Sequence, residues 1–195
     1  MKLDTSKLEW TRAPKEYTVG QDFVTIVTQP HTDLWQRTYY HFRNDNAPAL
    51  QLTTEETFFS FTVEVSFAYN HRFDQCGVVM YLDSENWLKA SIEYEDAAIQ
   101  NLGCVVTNEG YSDWSTAQIS SAITRVWYRL SRREDDYRVE WSQDGENFQQ
   151  MRICHMHEGG GKIRFGIYAC SPENSSFTAE FTNFSLGECL WKEHV

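Results

Sequence analysis

Alternation at a period of two residues runs through most of this chain and constrains its fold more than any other feature. In the stretch 58–68, Phe61, Val63, Val65 and Phe67 fall on one side while Thr62, Glu64 and Ser66 fall on the other. In the stretch 87–94, Leu88, Ala90, Ile92 and Tyr94 alternate with Trp87, Lys89, Ser91 and Glu93. Side chains of an extended strand point to opposite faces in turn, so each stretch predicts a strand with two distinct surfaces. The same reading predicts strands at 23–28, 33–42, 49–53, 75–82, 102–107, 125–132, 137–142, 149–155, 162–170 and 177–184, with a short piece at 111–117. Turns are expected at 19–22, 43–46, 83–86 and 133–136, and Asp144-Gly145 is a strong hairpin signal. No stretch offers three turns of apolar residues at helical spacing. Short strands without intervening helices predict an all-β fold, a two-sheet antiparallel sandwich occupying 1–195 as one domain.

Charge and cysteine content narrow the function. The net charge of −11 opposes the phosphates of nucleic acid and anionic lipid surfaces alike. Cys76, Cys104, Cys154, Cys170 and Cys189 lie far apart with no paired spacing, which disfavours a cysteine-based metal site. No apolar run approaches a membrane span, and the first residues lack the apolar segment of a secretion signal. Glycosylation sequons at Asn174 and Asn183 therefore carry no weight, and a reduced, cytoplasmic protein is expected. Gly159, Gly160 and Gly161 lack the Lys-Ser/Thr and helix of a phosphate-binding loop. Of His31, His41, His71, His155, His157 and His194, only His155 and His157 share a strand face, with no further ligand identified. No cofactor or metal is expected.

The faces turned away from the core fall into two groups. Thr62, Glu64 and Ser66, then Arg138, Glu140 and Ser142, then Thr178, Glu180 and Thr182 are ordinary solvated sets. Others mix rings with charges and amides: Trp87, Lys89 and Glu93; Trp127 and Arg129; Lys162, Arg164 and Tyr168; Gln75 and Tyr81; Trp35, Arg37 and Tyr39. Flat apolar area with a few fixed donors and acceptors is what a ligand site needs. Stems of Lys and Arg lying across a core-edge ring would give the same pattern. The stretch 108–117 adds Tyr111, Asp113 and Trp114 as a rim.

The stretches "TDLWQRTYY", "FDQCGVVMYLDSENWLKASIEY", "VVTNEGYSDWST", "VWYRLSRREDDYRVEWSQDGENFQQMR" and "YACSP" resemble domain of unknown function family 1349. That family is regulation-of-enolase-like and belongs to the concanavalin A-like lectin/glucanase superfamily. The resemblance implies a jelly-roll sandwich whose concave sheet binds carbohydrate in many relatives. It places recurrent positions at Trp35, Arg37, Gln75, Trp87, Lys89, Glu93, Tyr111, Trp114 and Arg129, which become the expected ligand-binding set. The expected ligand is a small carbohydrate or sugar phosphate, held without catalysis, and Arg37, Lys89 and Arg129 would favour negative charge on it. Two alternatives stay open. Glu93 and Glu95 share a strand face as a hydrolase's carboxylates would, although the superfamily's Glu-x-Asp-x-x-Glu pattern is absent. A regulatory domain with a protein partner, such as a glycolytic enzyme, is the other.

Overall fold

In the computed structural model, residues 1–192 are described, and His194 lies outside them. A 3₁₀ turn at Thr5–Lys7 precedes sixteen strands. The first six are β1 (Glu9–Arg12), β2 (Glu16–Val19), β3 (Phe23–Val27), β4 (Leu34–Gln36), β5 (Arg43–Asp45) and β6 (Ala49–Thr54). Then come β7 (Phe58–Phe67), β8 (Gln75–Asp83), β9 (Asn86–Tyr94), β10 (Ile99–Asn108) and β11 (Tyr111–Ser120). The last five are β12 (Arg125–Arg133), β13 (Asp136–Ser142), β14 (Gln149–His155), β15 (Ile163–Cys170) and β16 (Thr178–Gly187).

Two seven-stranded antiparallel sheets form the sandwich that the alternation predicts. The front sheet runs β1-β6-β15-β8-β9-β10-β11, and the back sheet runs β14-β13-β12-β7-β16-β3-β2. Between them the apolar sets of both sheets make one core. Phe61, Val63 and Val65 of β7 face Cys76, Val78 and Met80 of β8, with Leu88, Ala90 and Ile92 of β9 alongside. Phe59 stacks on Phe165 at 4.4 Å across the gap. Each fully buried phenylalanine contributes about 2–3 kcal/mol, so this layer dominates folding.

One expected strand is not formed as expected. The stretch 33–42 holds strand geometry only through β4; Arg37, Tyr39 and His41 then sit at φ near +60°. The chain kinks there, and the expected turn at 43–46 becomes β5, pairing back onto β4. Together they form a strap lying on the outer face of the front sheet. Leu34 and Trp35 of the strap, with Ala47 and Ala49, pack on Val79, Tyr81, Trp87, Val105 and Tyr168 as a second apolar layer. Among the described residues no helix is long and apolar enough to cross a membrane. All five thiols are free.

Candidate functional site

Directly opposed residues of antiparallel strands lie side by side on one face, so pairing register lays out the front sheet's outer surface in rows. One row joins Val79, Lys89, Val105 and Trp114. The next joins Tyr168, Gly77, Ser91, Gly103 and Thr116. A third joins Gln75, Glu93, Asn101 and Gln118. The middle row is nearly bare of side chains from Gly77 to Gly103, and the rows beside it stand higher. A trough follows, with a cavity of about 380 Å³. Gly103 has a second task. A methyl group there would meet Nε1 of Trp114 at 2.8 Å, so its absence lets the indole lie across the strand.

The floor is polar, buried and internally bonded. Nζ of Lys89 donates to Oδ1 of Asp33 at 3.1 Å and to Oε1 of Gln75 at 3.0 Å. The hydroxyl of Tyr168 donates to the same amide oxygen at 3.0 Å. Nε2 of Gln75 donates to Oε2 of Glu93 at 2.8 Å. Gln75 thus sits between the cation and the acid, its orientation fixed at both ends. Burial opposes the charge of Lys89, but Asp33 and other nearby acidic groups outweigh it and hold its pKa above the ordinary ammonium value. Burial pushes the Glu93 carboxyl up to about 7, more than Lys89 and the Gln75 hydrogen bond can offset. The walls are aromatic: Trp35, Tyr40 and Phe42 from the strap, Phe73 from the β7–β8 connection and Trp114 from β11. Such a mixture of rings and convergent polar groups is the usual composition of a small-molecule site.

Of the nine expected site residues, Trp35, Gln75, Lys89, Glu93 and Trp114 line this cavity. Four do not. Trp87 lies fully buried beneath the strap in the second apolar layer, because its row carries bulk that the strap covers. Arg129 is on the back sheet, where Nε bonds Glu140 at 2.6 Å and the guanidinium lies 4.0 Å from the Phe148 ring. It stands opposite Thr62, with Trp127 opposite Glu64, so both belong to the back sheet's outer face, from which alternation had separated them. That face is less solvated than expected, since Glu64, Glu140 and Ser142 on it are buried. Arg37 anchors the strap, donating to Glu85 at 2.9 Å and to the Gly110 carbonyl at 2.8 Å. Tyr111 stands over that guanidinium at the hairpin end, 5.4 Å away, at a turn where Gly110 takes φ +75°. Glu95 also departs from the expected carboxylate pair: it bonds Arg72 at 2.6 Å and does not line the cavity.

Residues missed from sequence include Asp33, Tyr40, Phe42, Ser91, Asn101 and Gly103. Asn101 and Gly103 carried a signal, since they alternate with Leu102 and Cys104 along β10. His155, for which the sequence identified no further ligand, ends β14 with Nδ1 2.9 Å from Asp136 and 3.8 Å from Asp135.

The family described as Protein of unknown function (DUF1349) matches residues 10–189. Regulation of enolase protein 1 of Saccharomyces cerevisiae is 31% identical over 189 residues, which cover 97% of this chain and 93% of that protein. The crystal structure of a functionally unknown protein from Saccharomyces cerevisiae superposes with a TM-score of 0.89 at 30% identity, covering 97% of this chain and 100% of that one. A mutant of the GH43 protein BlXynB from Bacillus licheniformis gives a TM-score of 0.72 at 16% identity, over 93% of this chain but 37% of that larger one. That last likeness is one of fold alone.

Proposed function

The chain belongs to the DUF1349 family, and on the geometry of its own site we propose that it binds a carbohydrate-like ligand on the outer face of the front sheet. The observation that carries this reading is the trough over Ser91 and Gly103, flanked by a bonded amide and carboxyl row and walled by indole and phenol rings. Sugars present apolar ring faces that stack on aromatics and hydroxyls that need donors and acceptors in fixed places. Gln75, Glu93 and Asn101 supply those, with their own orientations set by the sheet. The role is binding, with the Glu93 and Glu95 pairing that hydrolysis would use not assembled in one cleft.

The test is titration calorimetry against a panel of neutral mono- and oligosaccharides, with Trp114→Ala as the comparison. Trp114 is 40% exposed and packs outside both cores, so its loss leaves folding intact. Affinity should fall about tenfold, the equivalent of about 1.4 kcal/mol. A panel in which no sugar binds the parent protein would end the reading. The name of the yeast relative favours a second component: a regulatory role in a cytoplasmic complex with a glycolytic enzyme, to which sugar binding would be coupled. Pull-down of enolase by the immobilised protein, with and without the sugar, addresses it, and no retention in either case removes it.

A further inference from the structure

The charge inventory and a second depression beside the cavity go further than a sugar in general. We infer that the ligand is an uncharged oligosaccharide of at least two rings, spanning an inner polar subsite and an outer aromatic one. This inference rests on the carbohydrate reading above.

Neutrality follows from pairing. The cavity is lined by one ammonium, Lys89, against three carboxyl groups, Asp33, Glu93 and Glu173. That ammonium is only 4% exposed and already gives two of its three N–H donors to Asp33 and Gln75. The cations near the strap are engaged as well: Arg37 and Arg43 on Glu85, Arg12 on Asp45. A phosphate or carboxylate entering here would meet an acidic surround and, to take Lys89 as its own counter-ion, would have to displace Asp33 and break that pair. Removing one member of a buried pair costs more than a new exposed contact returns. Hydroxyl groups need no such break.

Length follows from shape. Trp35, Tyr40 and Trp114 line both the cavity and an adjoining groove of about 400 Å³, whose remaining walls are Thr38, Tyr39, Ser112 and Asp113. The two depressions are therefore continuous through three shared rings. The groove is open and aromatic: Tyr39 is 80% and Tyr40 52% exposed, their rings edge to face at 4.9 Å. The strap's backbone maintains this display. Left-handed φ at Arg37, Tyr39 and His41 is unfavourable for side-chain-bearing residues, and such strain persists where surrounding contacts impose it. Those contacts are present: the Gln36 N–H bonds Ser112, Arg37 N–H bonds the Phe42 carbonyl, and Nε1 of Trp35 bonds the Thr38 carbonyl. Rings held outward at that cost, contiguous with a polar cavity, suit a second sugar ring stacking where the first one emerges.

The experiment measures glucose, cellotriose, xylose, xylotriose and glucose 6-phosphate by calorimetry on the full chain and on Tyr39→Ala. Tyr39 lines the groove and not the cavity, so the variant reads the outer subsite. For at least one sugar pair the trisaccharide should bind about tenfold or more tighter than its monosaccharide. Glucose 6-phosphate should bind more weakly than glucose. In Tyr39→Ala the ratio of trisaccharide to monosaccharide affinity should shrink to about threefold or less, a loss of about 0.7 kcal/mol or more. Equal affinities for one ring and three, or a ratio unmoved by Tyr39→Ala, would overturn the two-subsite inference while leaving sugar binding standing. Tighter binding of the phosphate would overturn neutrality. Failure of every neutral sugar would overturn both this inference and the reading beneath it.

Discussion

Glu93 gives the most direct test of whether the trough floor is as dry as its contacts suggest, through the substitution Glu93→Gln. Burial raises this carboxyl from an ordinary 4.5 to about 7. In the folded protein it keeps its proton up to about pH 7, whereas the unfolded chain releases it near 4.5. Between those limits folding takes up a proton, so the associated stabilisation is whole below pH 4.5 and is lost as pH rises towards 7. At about 1.4 kcal/mol per pH unit, the loss across that window is about 3 kcal/mol. Glutamine has nearly the same shape, keeps an oxygen to accept the Gln75 hydrogen bond and has no proton to lose. The variant should therefore match the parent near pH 4.5 and exceed it at pH 8 by up to about 3 kcal/mol. For a chain of this size that is a rise in Tm of about 6–12 °C. Scanning calorimetry on both proteins at pH 5 and pH 8 reads the effect. A difference that is the same at both pH values, or a variant less stable at pH 8, would show that Glu93 ionises freely and that water reaches the floor.

Two further substitutions probe the buried polar framework. Lys89→Ala leaves Asp33 without its cation and should cost about 3–5 kcal/mol in urea unfolding; a loss under about 1 kcal/mol would mean that the ion pair does not hold the strap down. It is consequently a poor probe of ligand affinity, although sequence alone recommends it as one. Arg132 is fully buried on the back sheet and donates to the carbonyls of Glu56, Glu134, Gly159 and Gly161. Arg132→Met should lower stability by about 3 kcal/mol through the lost bonds to Glu56, Glu134 and Gly161, the Gly159 carbonyl keeping the Tyr137 hydroxyl, and an unchanged urea midpoint would show that the glycine loop is satisfied without it.

The sandwich was legible because burial on one face of a strand writes itself into every second residue. Phe61, Val63, Val65 and Phe67 could hardly be arranged otherwise, and they do line the core. Alternation assigns a residue to a face, however, and never to a sheet. Trp127 and Arg129 look like Trp87 and Lys89 in that respect, yet β12 pairs with β7 on the back sheet while β9 sits within the front one. The strap was the larger surprise. Nothing local demands left-handed backbone at Arg37, Tyr39 and His41, none of which is glycine or asparagine. The kinks are imposed by partners distant in sequence, Ser112, Glu85 and Gly110 among them. A reading of the stretch 33–42 by its alternation could only return a strand.

The same limit explains why the cations that sequence counted toward an anionic ligand turn out to be paired. Counting Arg37, Lys89 and Arg129 as free cations treats charge as additive along a surface. In the folded chain each has a carboxylate within 3.1 Å, supplied by Glu85, Asp33 and Glu140 from other strands or loops. Desolvation makes that outcome general: a cation half-covered by aromatic neighbours is costly unless an acid accompanies it. In a protein with 28 acidic against 17 basic side chains, an acid is close at hand wherever the chain folds back. What remains for a ligand is the part of the site that pairing leaves open: amide and carboxyl edges already aligned by the sheet, the bare row between them, and rings with one face free. Those features select for hydroxyls and flat apolar faces together. A guest that carries both along a chain can occupy the trough and the groove at once without opening a single ion pair.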